Sequence, residues 1–203
     1  PVPGLTVTEI LYSEAYKYII IVSATNNSIL IYNFVDKSEV STIQINDVII
    51  SCAISKLDKG KYLLVNSSKA TPVINLIDLE DNAFLRKYFG HRQERFSIKI
   101  GFGGENENFI ISGSEDANIY IWNRHHSIPI LSVKAHSAAV NSVIWSSNFL
   151  TDCILSCSDD HTIKILTNEF INKVSIYNRT AMNSLEHRIV NIDENIEKMK
   201  QQL

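Results

Sequence analysis

The stretch ISGSEDANIYIWNR, residues 111–124, joins a short apolar segment to a polar turn and then to a segment rich in Ile, Tyr and Trp. Such a turn, made of Gly, Ser, Asp and Asn between two apolar segments, is typical of paired antiparallel strands. The turn also contains a carboxylate, Asp116, six residues before Trp122. The role of this Asp, chemical or structural, is the first question that the sequence raises.

Three further stretches follow the same pattern: VSATNNSILIYN, VNSSKATPVINLIDL and LSCSDDHTIKILTN. At the position of Trp122 they have Tyr32, Ile77 and Leu166, so that the successive separations are 45, 45 and 44 residues. His91 and His136 are also 45 residues apart. Two independent landmarks therefore indicate a single repeat of about 45 residues.

Each repeat contains four short strands, which in the third unit are RFSIKIGF, NFIISGS, NIYIWN and PILSVKA. A repeat of this length with four strands predicts the blade of a β-propeller. One blade cannot bury both of its faces, so blades must pack against one another. We therefore expect an all-β fold with four propeller blades over residues 1–178, belonging to a ring of seven blades.

Residues 179–203 have a different pattern, in which apolar residues recur at alternating steps of three and four. This heptad spacing predicts an amphipathic C-terminal helix. The helix either pairs with another helix, which would give self-association, or lies on its own propeller, and the narrow seam favours pairing. The seam residues are Met182, Leu185, Ile189, Ile192, Ile196, Met199 and Leu203.

The composition argues against several classes of function. A net charge of −3 gives no basic surface for nucleic acid or for an anionic membrane. The longest apolar runs, such as YIIIV at residues 18–22, are shorter than the roughly 20 residues that a spanning helix needs. Three cysteines, Cys52, Cys153 and Cys157, favour a reducing compartment. The start PVPGL, without an initiator Met, suggests a fragment of a longer protein or a processed product.

The order Gly90-His91, Ser112, Asp116 and Trp122 resembles the WD40 repeat. In that family the His, Ser, Asp and Trp side chains form a buried hydrogen-bonded chain within a blade. The resemblance therefore implies a structural role for these residues, and for the counterparts in the fourth unit, where Leu166 replaces Trp. The implied structural set is His91, Ser112, Asp116, Trp122, His136, Ser156 and Asp160.

A catalytic role for Asp116 is the alternative, because Ser, His and Asp together can form a hydrolase triad. The same residue types recur at equivalent positions of the third and fourth repeats, and this recurrence favours the structural role. His125-His126 would need a third ligand to form a zinc site. Three Cys and six His without a C-x2-C pair cannot supply the eight ligands of a RING domain. We therefore expect no enzyme activity, no metal and no cofactor.

Two segments carry a closer resemblance: FGGENENFIISGSEDANIYIWNR, residues 102–124, and AHSAAVNSVIW, residues 135–145. They resemble the WD40 subunit of the GID/CTLH ubiquitin ligases. The resemblance implies a non-catalytic scaffold that presents substrates such as metabolic enzymes for proteasomal degradation, in the cytoplasm or the nucleus. Its partners would be the RING and CTLH subunits of the ligase and the substrates. The alternative is a WD40 adaptor in trafficking, transcription or signalling.

By analogy with WD40 proteins, partners contact the start of the inner strand and the residue before the turn Asp. These positions are Arg95, Glu115, Asn141 and Asp159. The extra carboxylates of Glu115 and Asp159 lead us to expect an acidic patch that prefers basic or polar ligands. A purely solvated turn is the alternative for these residues.

Overall fold

Short strands separated by polar turns fold into four antiparallel sheets that follow one another in chain order. The computed structural model describes residues 4–68, 71–148 and 151–167. The first sheet contains β1 (Val7–Ser13), β2 (Tyr18–Ser23), β3 (Ser28–Asn33) and β4 (Glu39–Gln44). The second contains β5 (Val48–Ile54), β6 (Tyr62–Ser68), β7 (Val73–Asp78) and β8 (Phe84–Tyr88). The third contains β9 (Ile100–Gly103), β10 (Phe109–Ser112), β11 (Asn118–Asn123) and β12 (Leu131–Lys134). The fourth contains β13 (Val140–Asn148), β14 (Thr151–Ser158) and β15 (Ile163–Leu166).

Each sheet is a meander in which every strand pairs with its neighbour in sequence, and we call each sheet a blade. The first strands of adjacent blades also contact each other: β1 lies against β5, β5 against β9, and β9 against β13. This arrangement confirms the all-β class and the division into four repeating sheets. The expected seven-bladed ring stays a prediction. The predicted fourth strand of the last blade and the predicted heptad helix of residues 179–203 lie outside the described residues.

The core lies between the blades, because successive residues of a strand point to opposite faces of its sheet. In β6, Leu63 and Val65 pack against the first blade, whereas Leu64 packs against the third. In β10, Ile110 faces the second blade and Ile111 faces the fourth. A middle blade therefore needs apolar residues on both faces, which accounts for its nearly continuous apolar strands.

Three of the four inner strands, which are the first strands of the blades, share one irregularity that the repeat pattern did not predict. The pairing register shifts between Val7 and Glu9, between Ile49 and Ser51, and between Val140 and Ser142. Each shift is a β-bulge near the start of the inner strand, and a bulge changes the direction in which the side chain of the bulged residue points. In the fourth blade this residue is Asn141, one of the predicted partner-binding residues.

The unusual turn FGGENENF holds the third and fourth blades together. A Cβ on Gly103 would lie 2.6 Å from Cε3 of Trp145, and Gly104 has a positive φ of 74°. Both glycines are therefore required, one for the close approach of Trp145 and the other for the backbone conformation. Trp145 stacks on Phe109 with ring centroids 5.3 Å apart.

Candidate functional site

Asp116 organises the turn between β10 and β11. Its Oδ1 accepts the backbone N–H of Asn118 at 3.1 Å, and its Oδ2 accepts the hydroxyl of Tyr120 at 2.7 Å. Burial acts to raise the pKa of Asp116, but hydrogen bonds from Tyr120, Ser114 and Asn118 hold it below the ordinary value. A carboxylate with both oxygens engaged inside its own turn fixes the turn, as an Asx-turn does.

In the third blade His91 does not connect Asp116 to Ser112. Both ring nitrogens of His91 are buried and have no hydrogen-bond partner in the described part of the chain, while Ser112 donates to the carbonyl of Gly113 at 2.8 Å. Trp122 donates its ring N–H to the carbonyl of Phe89 at 2.9 Å and meets the His91 ring edge-on. The hydrogen-bonded chain implied by the resemblance is therefore not formed by these residues in this blade.

In the fourth blade the His does connect the Asp to the Ser. His136 Nδ1 lies 2.9 Å from Oδ2 of Asp160, and Nε2 lies 2.9 Å from Oγ of Ser156. Because a carboxylate only accepts, Nδ1 carries a hydrogen, and in the neutral imidazole Nε2 then accepts the Ser156 hydroxyl. Thr162 also donates to Asp160, and its hydrogen bond, with those of Ser137 and His136, holds the pKa of Asp160 well below its ordinary value.

The distances between Ser156, His136 and Asp160 are also those of a hydrolase triad. Burial distinguishes the two roles, because Ser156 is only 2% exposed and the His136 side chain is fully buried. A nucleophile must reach a substrate carbon, and this hydroxyl reaches no surface. The geometry therefore supports a role in holding the blade together.

The predicted partner-binding residues lie at the strand ends where β9 and β13 begin, which we call the upper face (residues 92–97, 113–117, 138–141 and 158–162). Glu115 turns its carboxylate into the preceding loop, where Oε1 accepts the N–H groups of Glu94, Arg95 and Phe96 at 2.6, 2.6 and 3.0 Å. Burial opposes ionisation of Glu115, yet these hydrogen bonds hold its pKa below the ordinary value. The loop is thereby fixed, with the side chain of Arg95 exposed.

Asn141 and Asp159 form a second pair on the upper face. The amide of Asn141 donates to Oδ1 of Asp159 at 2.6 Å, and the carbonyl of Asn141 accepts the N–H of Lys99 at 2.8 Å. The structure thus brings the four predicted residues together as two pairs, one in each of two adjacent blades. Both carboxylates are engaged in hydrogen bonds within the protein and keep their negative charge, so the acidic patch stays a prediction.

A cleft of about 370 Å³ opens beside this loop, between the second and third blades. Phe96 is 44% exposed and Val48 46%, and both line the cleft with Arg95. Gln93 supports the cleft from below, because its Oε1 accepts the amide of Asn66 at 2.7 Å. Sequence reasoning missed Gln93 and Phe96, although both lie within five residues of the GH pair at 90–91.

The comparisons with known proteins fit this architecture. The family model "WD domain, G-beta repeat" matches residues 83–123 and 127–166. Each matched segment contains the last strand of one blade and the first three strands of the next. These are β8 to β11 in the first match and β12 to β15 in the second. The chain belongs to the WD40-repeat proteins.

This WD40 chain is similar to several curated relatives. It is 37% identical over 151 residues to "WD repeat-containing protein 26 homolog" of Arabidopsis thaliana, covering 72% of this chain and 25% of that protein. It is 32% identical over 149 residues to "GID complex subunit 7" of Schizosaccharomyces pombe, with 73% and 28% covered. It is 32% identical over 139 residues to "Polycomb protein esc" of Drosophila melanogaster, with 66% and 32% covered. The WD40 chain thus spans between a quarter and a third of these relatives.

The remaining His and Cys residues of the WD40 chain are scattered. His125 and His126 lie in the turn after β11, and the described residues contain no group of three or more His, Cys, Asp or Glu that could hold a metal ion. Cys52 is buried, which raises the pKa of its thiol, whereas Cys153 and Cys157 are half-exposed. They lie on the outer face of the last described blade. Within the described ranges no helix is long and apolar enough to cross a membrane.

Proposed function

We propose that this WD40 chain is a non-catalytic scaffold and substrate-presenting subunit of a GID/CTLH-type ubiquitin ligase. One observation carries the proposal: the similarity to the relative named GID complex subunit 7, which extends over 73% of the chain. The turn at residues 102–109, which the sequence resemblance singled out, supports it because that turn joins two blades. The RING subunits of such a ligase supply the chemistry, and this chain supplies a surface, in the cytoplasm or the nucleus.

In this proposal the upper face presents substrates. Glu115 fixes the loop at residues 94–96 with three hydrogen bonds, so Arg95 and Phe96 are presented without the entropic cost of ordering a loop. An exposed Arg and an exposed aromatic ring are residue types enriched at binding hot spots. The adjacent cleft of about 370 Å³ offers room for a side chain of the partner.

The test is affinity capture of the full chain from its native lysate, read by mass spectrometry. We expect RING-bearing and CTLH-motif subunits to be recovered with the wild-type chain. The double substitution Arg95→Glu and Phe96→Ser should keep those subunits and lose the substrates, whereas Lys134→Glu on the outer strand β12 should lose neither. Recovery of an unrelated complex without ligase subunits would overturn the proposal.

A second candidate is a WD40 adaptor in a different complex. The similarity to the relative named Polycomb protein esc, over 66% of the chain, favours it. The same capture experiment separates the two candidates, because an adaptor of this kind would recover a set of subunits without RING proteins.

A further inference from the structure

A second pocket lies at the opposite ends of the strands, which we call the lower face (residues 55–61, 104–108 and 124–130). It measures about 490 Å³ and lies at the seam between the second and third blades. The charged, polar and aromatic residues that line it are Asp58, Tyr62, Arg86, Asn108, Arg124 and His125. None of them belongs to the upper face, so this pocket is independent of the function proposed above.

Arg124 forms a rigid charged wall of this pocket. Its guanidinium carbon lies 4.3 Å from the centre of the Tyr62 ring and 5.7 Å from that of Phe102. Its backbone N–H donates to the carbonyl of Asn108 at 2.8 Å, and its side chain is only 13% exposed. Stacking on aromatic rings orders the planar guanidinium in advance, so little entropy is lost when it binds an anion.

The pocket has more positive than negative charge. Of its lining residues Asp58 has the one carboxylate, and this lies 3.4 and 3.5 Å from the two terminal nitrogens of Arg124, at the long limit of a hydrogen bond. Arg86 forms no ion pair with any residue in the described ranges. Two arginines thus line the pocket together with a single, partly exposed carboxylate.

The pKa of His125 is lowered in this pocket. Burial lowers its pKa first, and the positive charges of Arg124, Arg86 and His126 lower it further. The imidazole is therefore neutral near pH 7 and does not add charge to the pocket.

We propose that this lower pocket binds an acidic peptide segment of a protein partner. A Glu or Asp side chain of the segment would lie between Arg86 and Arg124, and the fork of a guanidinium matches a carboxylate in a bidentate pair. Leu85 is 47% exposed beside Arg86 and offers an apolar contact to a neighbouring aliphatic residue. The carboxylate of the peptide replaces that of Asp58 as the partner of the Arg124 guanidinium, because the contact between Asp58 and Arg124 is long.

Fluorescence anisotropy on the full chain tests this proposal. The probe is a fluorescein-labelled, end-capped pentapeptide of sequence EELEE, and the control probe is KKLKK. We expect EELEE to bind and KKLKK not to bind. Arg86→Glu should weaken EELEE at least about tenfold, because it places a like charge opposite the peptide. Asp58→Asn should tighten EELEE by about threefold, because it removes a competing carboxylate from Arg124.

Lys134→Glu is the matched control, since it changes the net charge by the same amount on an exposed strand outside the pocket. It should leave the affinity within about twofold. Thermal melts by circular dichroism establish that each variant is folded, and Arg86→Gln replaces Arg86→Glu if the latter is not. Equal affinity of the wild type and the Arg86 variant, or an equal loss with Lys134→Glu, would overturn the proposal.

Discussion

His91 and His136 occupy equivalent positions in consecutive repeats, yet only His136 is hydrogen-bonded through both ring nitrogens. The difference comes from one residue in the following strand. Tyr120 donates its hydroxyl to Oδ2 of Asp116, whereas the equivalent position of the fourth blade has Lys164 and leaves Oδ2 of Asp160 to the His. The repeat pattern does not contain the geometry that decides which side chain forms a hydrogen bond with the carboxylate of the turn.

Paired substitutions at the equivalent serines measure this difference. Ser156→Ala leaves the buried Nε2 of His136 without its donor, so we expect a loss of about 1–3 kcal/mol in the free energy of unfolding. Ser112→Ala removes only a bond to the carbonyl of the adjacent Gly113 and should cost less than half as much. Urea denaturation of both variants checks this, and equal losses would contradict the assignment of the hydrogen-bonded chain to the fourth blade.

The buried ring of His91 predicts a pH dependence of stability. Burial lowers its pKa from 6.5 to about 4, against the opposing effect of Asp116. The folded state therefore binds this proton less readily than the unfolded state. The neutral His91 ring therefore makes its full contribution to the free energy of unfolding above pH 6.5. As the pH falls through 6.5 towards 4, the free energy of unfolding decreases by about 3 kcal/mol in total.

Denaturation curves between pH 7.5 and 4.5 for the wild type and for His91→Phe isolate this contribution, because the carboxylates titrate alike in both proteins. Over that interval the wild type should lose more stability than the variant. His126→Phe, at a half-exposed position, serves as the control. A variant that loses as much stability as the wild type would show that His91 does not titrate as its burial implies.

At the scale of elements, the 45-residue repeat predicted the strands well. The segment NIYIWN is β11 to the residue, and NFIISGS and PILSVKA contain β10 and β12. The segment RFSIKIGF starts five residues before β9 and ends one residue short of it. The bulges of the inner strands and the interblade contact of Glu107 were not predictable. Glu107 accepts the backbone N–H of Lys56 at 2.7 Å across two blades, and only packing brings these distant residues together.

Gly113 shows how closely two blades approach at the end of β10. A Cβ on Gly113 would overlap the carbonyl oxygen of Val140, whose N–H donates to Ser114 at 3.0 Å. Gly113→Ala should therefore force the third and fourth blades apart and cost about 2–3 kcal/mol. At Gly101, by contrast, a Cβ would meet its nearest neighbour at an ordinary 3.8 Å.

Gly101→Ala is thus the matched control and should be neutral or stabilising by up to about 1 kcal/mol, because Ala restricts the unfolded chain more than Gly does. Thermal unfolding of the two variants provides the comparison. If both alanines were tolerated equally, the close approach of the blades would not limit the structure.

At the scale of the whole molecule, the two outermost blades differ from the middle ones. The first blade exposes Ile10 at 67% and Tyr12 at 48% on the face of β1 turned away from the core. The last described blade exposes Ile144, Ile163 and Ile165 at 63, 75 and 64% on one face. Contiguous apolar faces of this kind are typical of surfaces that pack against another blade.

A preparation of the 203-residue chain alone should consequently self-associate through these faces. We expect the mass from light scattering to rise with concentration, and the pair Ile163→Lys and Ile165→Lys to reduce that rise. The control pair, Leu57→Lys and Ile128→Lys, replaces two residues that are equally exposed, at 59 and 76%, but lie in turns away from the end faces. Because Leu57 and Ile128 lie in turns and belong to no row of apolar side chains across paired strands in the described residues, the control pair should leave the association unchanged. A concentration-independent monomer mass for the unsubstituted chain would show that these faces are not association surfaces. If both pairs reduced the association equally, the added positive charge alone would explain the effect.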